Sequence, residues 1–257
     1  MYKRMKTLYS IVFVILSITF VNANNQLNDS IIQNAQRLYK AQQYDSVIVL
    51  YKSLISQGLV SDKLYFNLAN AYYKQREIAQ AILWYERAYV LNPYNEDIKN
   101  NLAIVQALQP DKVEQIQQSM LQLWYPYVYR FCNSNTWAVL SLVFFIGFIV
   151  CVLWFLFTKQ RVYKKVSFFI ALGSLGFAII TYINASYRYN ELVKNQYAIV
   201  MESSLRILTE PNENAKELVV VHGGLRVKIE KKNGDWVSIR LSDGKVGWVQ
   251  HFAIEKI

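Results

Sequence analysis

Histidine and cysteine are scarce in this chain, which has only two of each among its 257 residues. Two cysteines do not make a disulfide framework, and two histidines do not supply the clustered ligand sets of zinc sites. The motifs HExxH, GxSxG and GxxxxGK followed by Ser or Thr are also missing. The sequence therefore carries no signal for a metalloprotease, a serine hydrolase or a P-loop nucleotide site. We predict a protein that is not an enzyme and that uses no cofactor and no metal.

The formal net charge of +10 is concentrated in a few short segments. Residues 1–23 contribute +3 and residues 159–165 contribute +4, whereas residues 24–129 carry nine basic and nine acidic side chains. A nucleic-acid-binding domain needs basic side chains clustered on one face or stripe. Since no soluble segment has such a cluster, we predict no nucleic-acid partner.

Two long segments carry no charged residue, Trp137–Phe157 with 21 residues and Val166–Ile183 with 18. A membrane helix needs about 20 predominantly apolar residues. We therefore predict transmembrane helices over 136–158 and 166–187. The loop 159–165 between them has four Lys or Arg in seven residues, which predicts that it is cytoplasmic, because basic loops are retained on that side.

Residues 1–23 have the pattern of a secretory signal peptide. Three basic residues precede an apolar core from Leu8 to Phe20, and the small-residue cleavage position is Val21-Asn22-Ala23. An uncleaved N-terminal anchor is the alternative. Both interpretations place the segment after residue 23 outside the cytoplasm, and two further crossings place the C-terminus there too. We predict an inner (cytoplasmic) membrane protein with extracytoplasmic soluble domains.

Residues 24–110 show the helical period of apolar residues, and a 34-residue pattern recurs within them. The unit at 62–95 has small residues where two helices would touch, large residues between turns, and a proline at its end. Its pattern positions are Tyr65, Leu68, Ala69, Tyr72, Ala81, Tyr85, Ala88 and Pro93. This pattern resembles the tetratricopeptide repeat (TPR). A divergent copy covers 28–61 and a capping helix follows at 96–108, so we predict a TPR solenoid, with an ordinary helical bundle as the alternative.

The first helix of each pair in a TPR stack lines the concave face, where the residues between its core positions are exposed. We predict a partner-binding surface made of seven such residues and call it the helical groove. Aromatic, amide and lysine side chains together suit an extended peptide or a carboxylate. A solvated helix face without a ligand is the alternative. The residues of the helical groove are Tyr39, Lys40, Lys63, Phe66, Asn70, Tyr73 and Lys74.

Residues 111–135 connect the helical domain to the first apolar segment. Aromatic residues crowd this connection, namely Trp124, Tyr125, Tyr127 and Tyr129. Trp and Tyr concentrate at the membrane–water boundary because their rings are apolar but carry a polar tip. We predict an interfacial helix with an aromatic belt.

Residues 197–257 contain short β-rich segments separated by turn signals such as Asn233-Gly234-Asp235. The last of these segments ends in Gly244-Lys-Val-Gly-Trp-Val249, a Gly-x-x-Gly-Trp-Val pattern that resembles bacterial SH3-like domains. Several short strands in sixty residues favour a small barrel. We predict an all-β SH3-like barrel with Trp236 and Trp248 in its core, and a ligand platform as the alternative role for them.

The predicted fold is thus that of a multidomain membrane protein: an all-α TPR solenoid, a two-helix transmembrane hairpin and a C-terminal SH3-like barrel. This order of parts resembles the BatE-like proteins of the aerotolerance (Bat) operon over nearly the whole chain. The resemblance implies a scaffold that acts with von Willebrand factor A-type membrane proteins and a MoxR-type ATPase in stress tolerance or envelope homeostasis. The alternative function is a cell-wall sensor or anchor whose SH3-like domain binds peptidoglycan peptide.

Overall fold

The computed structural model describes residues 28–111, 120–193 and 196–257; the predicted signal peptide lies outside these residues. Helices occupy the first two of these stretches and strands the third. The helices are 28–40 (α1), Tyr44–Ser56 (α2), Asp62–Lys74 (α3), Ile78–Leu91 (α4), Glu96–Ala107 (α5), Met120–Arg130 (α6), Ser134–Phe157 (α7) and Arg161–Val193 (α8). Helix α6 lies within the predicted interfacial segment 111–135, of which 112–119 are outside the described residues.

Helices α1–α4 form two antiparallel pairs, and the predicted helical repeat region is confirmed. Ala69 of α3 and Ala81 of α4 are both fully buried, as expected where small residues let two helices approach closely. Tyr51, Leu68 and Tyr85 are also buried and fill the space between the turns. The predicted repeat pattern therefore corresponds to the positions that pack.

Helix α5 follows as a single helix after the second pair. Its N-terminus is capped by Asn95, whose side-chain oxygen accepts hydrogen bonds from the backbone N–H groups of Asp97 and Ile98. Asp97 also lies in the first turn, where a negative charge complements the helix dipole. Ile98 and Leu102 are buried on the side that faces the repeats.

Helices α7 and α8 are long and apolar enough to cross a membrane. They pack against each other as a hairpin through small and hydroxyl residues. Ser141 Oγ donates to the Ala178 carbonyl at 2.9 Å, and Ser174 Oγ donates to the Phe144 carbonyl at 2.6 Å. Such contacts satisfy hydroxyl groups within an apolar helix pair. Helix α8 begins at Arg161, inside the predicted loop 159–165, and continues to Val193, beyond the predicted end at residue 187.

The C-terminal strands form one antiparallel sheet. The strands are Tyr197–Val200 (β1), Ser204–Leu208 (β2), Glu217–His222 (β3), Arg226–Asn233 (β4), Trp236–Arg240 (β5), Val246–Gln250 (β6) and Ile254–Lys256 (β7). Their order in the sheet is β3-β2-β6-β5-β4-β1-β7. The β-rich segments predicted from the sequence, 198–201, 218–221, 225–229, 236–241 and 247–250, correspond to β1, β3, β4, β5 and β6, whereas β2 and β7 were not predicted.

The predicted closed barrel is wrong, because the seven-stranded sheet is open and has β3 and β7 at its edges. Both edges instead contact the helical domain. The backbone N–H of His222 in β3 donates to the Asp111 carboxylate at 2.5 Å, and the carbonyl of Lys256 in β7 accepts from Arg87 at 2.5 Å. Each contact satisfies one backbone group at an edge of the sheet.

Position 247 of the Gly-x-x-Gly-Trp-Val pattern is glycine for a steric reason. A Cβ atom there would lie 2.4 Å from the Ile207 side chain and 2.8 Å from the Leu208 carbonyl. Only glycine lets β6 approach β2 this closely. Trp248, one residue later, is half-buried and faces away from the buried core of the sheet.

Candidate functional site

The structure places the seven residues of the helical groove on α1 and α3. Lys40, Lys63 and Lys74 are exposed, and none of them forms an ion pair with any residue that the structure describes. The other four residues are half-buried. These four are Tyr39, Phe66, Asn70 and Tyr73.

The half-buried residues of the helical groove surround Tyr85, which is fully buried in α4. The Phe66 and Tyr85 rings lie 5.7 Å apart, and the Tyr85 hydroxyl donates to Asn70 Oδ1 at 2.5 Å. Burial raises the pKa of Tyr85 well above its ordinary value, and the nearby Tyr39 and Tyr73 hydroxyls add to this increase. Tyr85 is therefore a neutral donor that holds Asn70 in place.

The sequence placed Asn70 among the exposed residues of the helical groove, but in the structure it is partly buried and hydrogen-bonded to Tyr85. Its oxygen is the acceptor for a buried hydroxyl, and removing it would leave the Tyr85 hydroxyl without that partner. An unsatisfied buried donor costs about 1–3 kcal/mol. The floor of the helical groove is thus a packed aromatic cluster, and its exposed charges come from the three lysines.

The sheet covers another part of α4. Ile199 of β1 is fully buried and belongs to the helical core, and Met201 and Ile257 pack against the same core. Arg87 forms an ion pair with Glu255 at 3.0 Å at the border of this contact. Burial of such apolar side chains favours association, so the helical domain and the sheet form one packed unit.

Gly224 explains how the sheet approaches α4 and the segment after α5 so closely. It has a φ of +92°, and a Cβ atom there would lie 2.9 Å from Ile82 and 2.8 Å from Gln109. Beside it, the His222 ring nitrogen Nδ1 lies 2.9 Å from Asp111 Oδ1. No sequence pattern pointed to this contact, because the residues that meet are more than one hundred positions apart.

Arg188 connects α8 to the helical domain. Its side chain is almost fully buried; Nη2 donates to the Val90 carbonyl at 2.9 Å, and Nη1 donates to Glu191 at 2.6 Å. Val90 and the following Leu91 end α4, where exposed carbonyls attract a positive charge. Arg188 and Glu191 are charged residues three positions apart just after the second apolar segment, and this is the signal that the sequence interpretation missed.

Arg130 of α6 completes this network. It forms an ion pair with Glu191 and donates to the Tyr89 hydroxyl at 3.3 Å. Burial acts to lower the pKa of Arg130, but the hydrogen bond and charge of Glu191 outweigh it and raise the pKa further above its ordinary value. The guanidinium is charged at every physiological pH. Helices α4, α6 and α8 are therefore joined by one set of polar contacts.

Two family models match the chain. The tetratricopeptide repeat matches residues 62–95, and the bacterial SH3 domain matches residues 203–256. These matches confirm the predicted domain content, and the first covers the unit in which the sequence pattern is strongest. No curated protein matches the chain.

Proposed function

We propose that this protein is a non-enzymatic, membrane-anchored scaffold that binds a partner protein through the helical groove. TPR and bacterial SH3 domains are interaction modules. In the structure, one part of the helical domain is covered and another part is exposed. The sheet covers part of α4, whereas Lys40 of α1 and Lys63 and Lys74 of α3 are exposed. That difference is the observation that carries the proposal.

The chemistry of the helical groove favours a segment with a carboxylate and an apolar side chain. The half-buried rings of Tyr39, Phe66 and Tyr73 offer an apolar floor, and the lysines offer charge-assisted hydrogen bonds at its border. An acidic extended peptide or the C-terminal carboxylate of a partner fits both features.

The hairpin supports a placement of both soluble domains on one side of a membrane. Helix α7 begins and helix α8 ends beside the packed unit of helical domain and sheet, while the basic connector lies at the far end of the hairpin. Because basic loops stay in the cytoplasm, we infer an inner-membrane protein with an extracytoplasmic groove and sheet. The domain order adds a place in a Bat-type complex with von Willebrand factor A-type proteins and a MoxR-type ATPase, which rests on resemblance alone.

A second candidate function is peptidoglycan binding by the SH3-like domain. A cavity of about 310 Å³ in that domain is lined by residues that include Arg206, Glu213, Trp236 and Gln250. An indole beside a cation, a carboxylate and an amide suits a short polar peptide. The half-burial of Trp236 supports this role over a place in the buried core.

A crosslinked pull-down from membranes, with crosslinked proteins identified by mass spectrometry, separates the two functions. A variant that lacks residues 197–257 is not suitable for this comparison, because the deletion would also remove Ile199 from the helical core. Lys63→Glu combined with Lys74→Glu should reduce partner recovery by about tenfold, since both changes reverse rim charges. The matched control is Lys216→Glu with Lys231→Glu, which reverses two exposed charges on the sheet domain.

The scaffold function would be contradicted if partner recovery were unchanged in the groove variant and lost in Arg206→Glu. That pattern would transfer binding to the cavity of the SH3-like domain. Equal recovery from the wild-type chain, the groove variant and Arg206→Glu would contradict both functions.

A further inference from the structure

A cleft of about 730 Å³ lies where the helical domain, the membrane hairpin and the sheet meet. Its walls come from α4, α6, α8, β1 and β4, and we call it the junction cleft. Its volume is in the range of small-molecule sites, which occur preferentially between domains. Six tyrosines line it: Tyr89, Tyr94, Tyr127, Tyr129, Tyr187 and Tyr197.

The charged groups that line the junction cleft leave one net positive charge. The cations are Arg130, Arg226 and Lys228, and the carboxylates are Glu86 and Glu191. Arg130 is already paired with Glu191. The available cations are therefore the two on β4.

Arg226 and Lys228 lie two residues apart on β4, so they are on the same face of the strand. Their side chains are 45% and 42% exposed. The Arg226 guanidinium stacks on the Tyr197 ring at 4.1 Å, which fixes its plane. Its Nε lies 3.8 Å from Glu86 Oε2, too far for a hydrogen bond, so its donors can serve a ligand.

Lys228 is equally available. Its Nζ lies 4.0 Å from Glu230, and Glu230 itself accepts from Arg240 at 2.7 Å. A guanidinium and an ammonium side by side, with donors to spare, are the groups that bind a phosphate.

The depth of the junction cleft indicates where such a phosphate would come from. The last apolar residue of the second uncharged segment is Ile183. At a rise of about 1.5 Å per residue, Tyr187 lies about 6 Å and Glu191 about 12 Å beyond it along α8. The headgroup layer of a bilayer is about 5–8 Å deep on each side. The membrane side of the junction cleft, at Tyr187, therefore lies within the headgroup layer, whereas Arg226 and Lys228 line the cleft beside Tyr197 and Ile199, which follow the end of α8.

We propose that the junction cleft binds the phosphate of an anionic membrane phospholipid, with Arg226 and Lys228 contacting the phosphate oxygens. The exposed rings of Tyr127 and Tyr187 flank the glycerol part of the headgroup. A quaternary ammonium headgroup fits poorly, because the cleft is net positive and both of its carboxylates already face arginines. The bound lipid would join the sheet to the hairpin. This inference rests on the membrane insertion proposed above.

The test uses the full chain purified in detergent, with lipid retention measured by native mass spectrometry. The probes are dioleoyl phosphatidylglycerol, dioleoyl phosphatidylcholine and free glycerol 1-phosphate. Wild-type protein should retain phosphatidylglycerol about tenfold more strongly than phosphatidylcholine, since one charge-assisted contact accounts for a factor of that size. Lys228→Gln should abolish that preference and Lys228→Arg should retain it. Lys232→Gln, an equal charge change at an exposed position of β4, should leave it intact.

Equal retention of both lipids by the wild-type chain, or an unchanged preference in Lys228→Gln, would overturn the proposal. Glycerol 1-phosphate that binds as tightly as the lipid would also overturn it, because the ligand would then be a soluble phosphate. Partner recovery through the helical groove is measured on the same Lys228→Gln protein and should be unchanged. Failure of the scaffold and failure of lipid binding are therefore distinguishable.

Discussion

Gln42 and Arg76 lie 34 residues apart and share a left-handed backbone conformation, with φ of 60° and 66°. Each follows the first helix of its pair and donates its N–H to the carbonyl three residues earlier, at 3.0 Å in both turns. The next residue in each turn donates to a carbonyl five positions earlier, again at 3.0 Å. This is the Schellman arrangement that ends many helices. The divergent first pair therefore has the same turn as the second.

We expect Arg76→Gly to raise the free energy of unfolding by about 0.5–1 kcal/mol, because glycine adopts positive φ without the steric cost of a Cβ atom. Gln42→Gly should act in the same direction. Thermal unfolding of the full chain in detergent measures the change. The matched control is Lys74→Gly in the last turn of α3, which should lower stability by about 1 kcal/mol. A loss at Arg76 as large as that at Lys74 would contradict the turn assignment.

Ile199→Ala should loosen the helical domain although it changes the sheet. The side chain is fully buried in the helical core, and such truncations cost about 2–5 kcal/mol. Hydrogen exchange should therefore accelerate in α4. Ile207→Ala is the control, because that isoleucine is fully buried in the sheet's own core. If both variants changed α4 exchange equally, the packed unit of helices and sheet would be in doubt.

Asn70→Ala should destabilise the protein by about 1–3 kcal/mol, because the Tyr85 hydroxyl loses its acceptor inside the core. Adding Tyr85→Phe should recover part of that loss, since the unsatisfied hydroxyl is then gone. A double-mutant cycle on thermal stability measures the coupling. Strict additivity of the two substitutions would mean that the hydrogen bond contributes nothing.

Protease added to intact spheroplasts should digest both soluble domains and leave a fragment that contains α7 and α8. The reason is the basic connector at 159–165, which predicts an outside location for the opposite end of the hairpin. Lysed spheroplasts are the control and should also expose the connector to cleavage. Survival of either domain until lysis would contradict the proposed topology.

The sequence alone predicted the parts whose signals are local. The spacing of Ala69 and Ala81 predicts helix packing within one repeat, and the uncharged segments predict helices that are long enough to cross a membrane. The Gly-x-x-Gly-Trp-Val pattern reports a single close approach at Gly247. Each of these depends on residues a few positions apart, or on one repeat length, so that periodicity and residue size are enough to identify them.

Tertiary structure alone decided how the parts meet. Ile199 joins the helical core from 130 residues beyond Ala69, and Arg188 reaches the end of α4 from the hairpin. The two edges of the open sheet contact Arg87 and Asp111, which are distant in the sequence. No local pattern distinguishes a half-buried aromatic floor from a solvated helix face, since burial depends on which distant side chains arrive. These features depend on contacts between segments that are distant in the sequence. Composition and local spacing therefore do not predict them.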